Sequence, residues 1–161
     1  MSSMQMFLVI GGLVLLSFLM INFYSTSDIQ YNVINHNEAV ITASGIGQSL
    51  IEEIAGKAFD EETIFDVINA TNLLTIPDSL GYDSGETNRL LFDDIDDYNN
   101  YTGVDSLGGM GNFNYKIKVY YGQKLNPNQK STSRTFTKRA DIDIVNAFMQ
   151  DTLKLNYVYT Y

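Results

Sequence analysis

Asp93, Asp94, Asp96 and Asp97 fall within five residues, with Asn99, Asn100 and Asp105 close behind. Carboxylate and amide oxygens at that density are the hard ligands that calcium takes. The spacing departs from an EF-hand loop, because Tyr98 and Asn99 stand where a short acceptor and a glycine are expected. Two readings stay open: a calcium site, or an acidic loop whose carboxylates cap backbone amides and face water. No other cofactor is implied. His36, the single histidine, sits on an apolar stripe, and general-base chemistry there would need a nucleophile and an orienting carboxylate. A packed or interface histidine is the expectation. The chain has no cysteine, hence no disulfide, thiolate metal site or thiol nucleophile. The glycine-rich run Ser106 to Phe113 lacks both a lysine and a following helical pattern, which excludes a phosphate-cradling loop. Asn69-Ala70-Thr71 and Asn100-Tyr101-Thr102 match the glycan-acceptor pattern, which recurs by chance. These residues point away from an enzyme.

The balance of charge narrows the partners. At pH 7 the formal net charge is −9 and the isoelectric point is near 4.3. Nucleic acid and anionic lipid surfaces are recognised by clustered Lys and Arg, so nucleic acid is not expected as a partner.

The elements that position these groups start with an apolar run. From Met6 to Phe23 every residue is apolar or small except Ser17 and Asn22, and the first charge is Asp28. Roughly 18 residues at about 1.5 Å each make about 27 Å of helix, enough to span a bilayer. Nothing before Met6 is charged. A removable signal peptide is therefore disfavoured, and a basic leader preceding Met1 and since removed is the expectation. Beyond Asn22, Val33, His36, Val40, Ala43, Gly47, Leu50 and Ile54 recur at spacings of three and four, with no proline to break the run. This predicts one helix from near Ser2 to about Lys57, apolar over 1–24 and amphipathic over 25–58. Gly11 and Gly12 either loosen the helix locally or form a notch for a neighbouring helix.

The C-terminal residues, 112–161, read as an antiparallel sheet. Phe113, Tyr115, Ile117, Val119 and Tyr121 alternate with polar residues; Phe136, Ala140, Ile142 and Ile144 form a second series; Leu153, Leu155, Tyr157, Tyr159 and Tyr161 form a third. The tyrosines of the last series are expected in the core or at a subunit interface. Short connections favour a meander, and the apolar stripe of the helix is the long element able to cover it. Residues 59–111 read as a variable connecting region with one short helix or strand near Thr63 to Asn69. The expected fold is α+β, a long N-terminal helix packed on a small antiparallel sheet.

That layout, with the run "LLFDDIDDYNNYTG" (Leu90 to Gly103) ahead of the sheet, resembles the type IV pilin and type II secretion pseudopilin superfamily. The resemblance implies a leader removed by a peptidase, a methylated new N-terminus, residence in the inner membrane before assembly, and an extracellular cell-surface filament afterwards. Its core would be bundled apolar helices of identical subunits. Here Met1, Gln5, Phe7, Leu8, Ile10, Leu13, Leu15, Leu16, Phe18, Leu19, Ile21 and Phe23 would form it. The family usually has Phe at the first mature position, Glu at the fifth and often Pro near the twenty-second; this chain has Met1, Gln5 and Asn22. Gln5 can accept a hydrogen bond from an amine but cannot neutralise it. The alternatives are a membrane-anchored monomeric binding module that holds calcium, or a pseudopilin of a secretion machine.

Overall fold

The computed structural model describes residues 2–161. It comprises two compact units, Met1–Glu38 and Ala39–Tyr161. One helix, α1 (Ser3–Ala55, 53 residues), supplies the described first unit after Ser2 and the opening of the second. It ends at a turn over Gly56 and Lys57, where Gly56 N–H donates to the carbonyls of Glu52 and Glu53.

In the first unit α1 satisfies several of its own polar groups. Ser2 precedes the helix, and its backbone N–H donates to Gln5 Oε1 at 3.1 Å while Gln5 N–H donates to Ser2 O at 3.0 Å. A glutamine three residues after the cap thus satisfies a donor that the helix leaves orphaned. Within the apolar stretch and just beyond it, Ser17, Asn22 and Thr26 each donate to the carbonyl four residues earlier, at 2.8, 2.7 and 2.9 Å. Such back-bonding hides hydroxyl and amide groups against the helix itself.

In the second unit α1 packs through Ala39, Ala43, Gly47, Leu50, Ile51 and Ile54, all buried. The expected stripe holds from Ala43 to Ile54. At its lower end it is displaced: Ala39 is buried, Val40 and His36 are half-buried, and Val33 is exposed. A true period of 3.6 residues drifts from any fixed series, and Ala39 lies four residues before Ala43 on the packed face.

Four antiparallel strands form the sheet, in the order β1 (Thr102–Leu107), β2 (Gly111–Tyr121), β3 (Thr137–Val145), β4 (Leu153–Thr160). On the core face Ile117 is paired with Ile142 and Ile142 with Leu155; Tyr115 with Ile144 and Ile144 with Leu153. Tyr121 is paired with Lys138, and Lys138 with Tyr159. On the outer face Lys116 lies opposite Asp143, and Asp143 opposite Lys154, an alternation of sign that favours this register. The fold is α+β, a long apolar helix feeding a four-stranded antiparallel sheet.

Strands β2, β3 and β4 answer to the expected series. The region expected as connecting loop, 59–111, differs: it contains five one-turn 3-10 helices and strand β1. No alternating apolar series announces β1, because Gly103 stands where a core side chain would. A β-carbon there would lie 2.4 Å from the Tyr115 ring, which fills that space from the neighbouring strand. Near Thr63 to Asn69 the chain makes only the end of one such helix, Glu61–Thr63, capped by Asp60.

Candidate functional site

Two features carry function-bearing side chains: the bare half of α1, and the connecting region where the aspartates gather. On α1, Phe7, Leu8, Ile10, Leu13, Leu15, Leu16, Phe18, Leu19, Ile21 and Phe23 are all exposed, from 47 % at Ile10 to 72 % at Phe7. Met1 lies outside the described residues. Gln5 is exposed, and its side-chain oxygen serves its own helix through Ser2. Nothing stands within 4 Å of a β-carbon built on Gly11 or Gly12, so both leave a shallow notch. The segment is long and apolar enough to cross a membrane, with a mean hydropathy of 2.4 in its most apolar window and none of that window buried.

The aspartate run folds into a one-turn helix, Asp96–Tyr98, packed beside β2. It does not present four carboxylates to one point. Asp94 Oδ1 accepts from the N–H groups of Asp96 (2.6 Å) and Asp97 (3.1 Å), while Asp97 Oδ2 accepts from those of Asp93 (3.0 Å) and Asp94 (3.1 Å). The two side chains cap each other's backbone. Burial, then the neighbouring Asp96 charge, pushes the Asp94 carboxyl up to about 7; burial and the charge of Asp94 push Asp97 up to about 8. Glu86, Asp93 and Asp97 place carboxylate oxygens within 4.8 Å of one another, the grouping able to accept a hard cation. Glu86 lies in the preceding loop, and its distance along the chain from Asp93 hid it from a reading by spacing.

Asp96 turns the other way, into the core. There Lys138 of β3 is fully buried, its Nζ 2.8 Å from Asp60 Oδ2 and 2.5 Å from Asp96 Oδ1. Nζ also donates to Phe59 O at 2.6 Å, and the Phe59 and Tyr121 rings lie 4.6 and 5.2 Å from it. Asp60 is thoroughly held: it accepts from Thr75 N–H, Thr75 Oγ1 and the Tyr121 hydroxyl as well as from Lys138. Burial pushes Asp60 upward, but the Lys138 charge and these hydrogen bonds outweigh it, so its carboxyl stays below the ordinary range. Asp96 has no aligned hydrogen bond on either oxygen. Burial, with the charges of Asp60 and Asp97, pushes it up to about 7 against the pull of Lys138.

Neither Lys138 nor Asp60 stands out by motif. One signal existed: Lys138 shares the parity of Phe136, Ala140, Ile142 and Ile144, and a lysine on the core face of a strand requires a buried partner. Elsewhere, His36 is half-buried on α1, Tyr159 is buried and donates its hydroxyl to Ile51 O at 3.2 Å, and Tyr157 is exposed. Compared with models of known families, with characterised proteins and with solved structures, the chain matches none of them.

Proposed function

We propose that the chain is a non-enzymatic structural subunit of a pilus-like helical filament on the cell surface, held in the inner membrane before assembly and polymerised through the apolar half of α1. The observation that carries this reading is the apolar surface of α1 from Met6 to Phe23, broken by Ser17 and Asn22 alone and exposed on every side. Each such side chain gains about 1.5–3 kcal/mol on leaving water, and no soluble monomer tolerates a patch that large. A membrane or a bundle of like helices satisfies it, and an all-round apolar surface suits both in turn. The intrahelical bonds of Ser17, Asn22 and Thr26 support the same reading, since they satisfy these donors without water in an apolar surrounding.

The test is negative-stain electron microscopy of material sheared from cells, with mass spectrometry of the N-terminal peptide in the same sample. Filaments containing this chain are the expected result. Their absence, with the chain confined to the membrane fraction, would favour a monomeric anchored binding module instead.

A further inference from the structure

The buried lysine has an arrangement suited to more than an ion pair. We propose that Lys138 and Asp96 are the two ends of an intramolecular isopeptide bond, which the folded chain forms on itself with Asp60 as the base.

Three features of the geometry support it. The first is proximity: Nζ stands 2.5 Å from Asp96 Oδ1, closer than the ~2.7–2.9 Å of an ordinary ammonium–carboxylate hydrogen bond, and without the alignment of one. The second is the contrast between the two acids. Asp60 is fixed by Thr75, Tyr121 and Lys138, whereas no donor other than the lysine itself approaches Asp96. Asp60 is therefore placed to take a proton, and Asp96 is free to react. The third is dryness, since the side chains of Lys138, Asp60 and Asp96 are 0 %, 0 % and 4 % exposed. The Phe59 and Tyr121 rings close over the amine.

The step balances without an oxidant or a co-reactant. Asp60 carboxylate takes one proton from the Lys138 ammonium along their 2.8 Å hydrogen bond, leaving a neutral amine. The nitrogen lone pair attacks Cγ of Asp96 in its carboxylic acid form, and a C–N bond forms. Asp60 then returns its proton to the departing hydroxyl and takes another from the nitrogen, so the Asp96 C–O bond breaks and one water leaves. The products are a secondary amide, water and protonated Asp60. In dilute water the same condensation runs towards hydrolysis. Here both reactants belong to one chain, where well-oriented groups reach effective concentrations of about 10⁵–10⁸ M, and the site excludes the water that would reverse the reaction.

The link would close a covalent ring from Asp96 through β1 and β2 to the start of β3, independently of whether the chain builds filaments. The experiment takes the full chain, purified in detergent, denatures it, digests it and reads the peptides by tandem mass spectrometry. The expected result is that the peptides carrying Asp96 and Lys138 are recovered as one branched species, lighter than their sum by one water. Asp96→Ala should yield the two linear peptides. Asp60→Asn, with its fold verified by near-ultraviolet circular dichroism, should leave the chain unlinked or link it at least tenfold more slowly. Two linear peptides from the folded natural chain would overturn the proposal. So would a branch at Asp60, a water lost from Asp96 without Lys138, or undiminished linkage in Asp60→Asn.

Discussion

Gly47 of α1 lies against Leu155 of β4 so closely that a β-carbon on the glycine would stand 2.1 Å from Leu155 Cδ1 and 3.2 Å from Ile144 Cδ1. The contact sets how near the helix approaches the sheet. Gly45, two residues earlier, is exposed with nothing within 4 Å of such a carbon. The same substitution should therefore act with opposite sign at the two positions. Gly45→Ala should raise the melting temperature, helix propensity adding up to about 1 kcal/mol of stability. Gly47→Ala should lower it, overpacking of about 1–3 kcal/mol outweighing that gain. Combining Gly47→Ala with Leu155→Ala should cost less than the sum of the two changes. Thermal melts of the natural chain, the three single variants and the double variant in one detergent decide the matter.

Removing the buried lysine should be costly. Lys138→Met, which can neither pair with Asp60 nor link to Asp96, leaves both acids buried without a partner, and breaking a buried pair in this way costs about 3–5 kcal/mol. Near-ultraviolet circular dichroism, which reports the buried tyrosines 98, 121 and 159, should show a broad loss of native signal at a temperature where the natural chain is folded. Adding Asp60→Asn and Asp96→Asn to Lys138→Met should recover part of the loss, because no buried charge is then left alone.

The melting temperature should depend on pH with a definite sign. Asp94 and Asp97, raised to about 7 and about 8, hold protons more tightly folded than unfolded. Their contribution is complete below the unfolded value of 3.8 and is lost as pH rises towards 8. Asp60, lowered while Lys138 faces it as an ammonium, acts oppositely, and its contribution vanishes only as pH falls below 3.8. Stability should thus peak near pH 4–5 and fall on the order of 5–10 °C by pH 8.5. Asp97→Asn keeps an oxygen for the backbone caps and removes the charge, so it should flatten the fall while leaving the melt at pH 5 nearly unchanged.

Assembly should fail when a charge enters the apolar half of α1. Leu16→Asp places a carboxylate where the chain offers no cation, a cost of several kcal/mol in an apolar surrounding. Cells carrying it should shed no filaments containing this chain, with the near-ultraviolet spectrum of the Ala39–Tyr161 unit unaltered. Filaments of normal abundance would contradict a helical core.

Much of this architecture was legible because it is periodic. Phe113 to Tyr121 alternates, and its odd-numbered members are buried in the folded chain; Ala43, Leu50 and Ile54 recur at helical spacing and pack on the sheet. What escaped has no period. Strand β1 is written by a glycine under a neighbouring tyrosine, a relation between residues on two strands that neither reveals alone. The meeting of Asp60, Asp96 and Lys138 depends on the path of an irregular connection, and Glu86 joins Asp93 and Asp97 only after that path is folded. The aspartate run announced oxygen ligands, yet backbone geometry turned Asp94 to capping and Asp96 inward.

The back-bonded Ser17, Asn22 and Thr26 have one further consequence. A helix whose Ser17, Asn22 and Thr26 donors are met by its own carbonyls would find lipid tails and the flanks of like helices nearly equivalent solvents, since neither offers a hydrophobic gain over the other. Moving it from one to the other, or sliding it lengthwise against a neighbour, breaks no hydrogen bond along the way. In the proposed filament such a segment would behave as a greased shaft rather than a latch: shape fit would select where it comes to rest, and axial shifts between subunits would meet few polar detents.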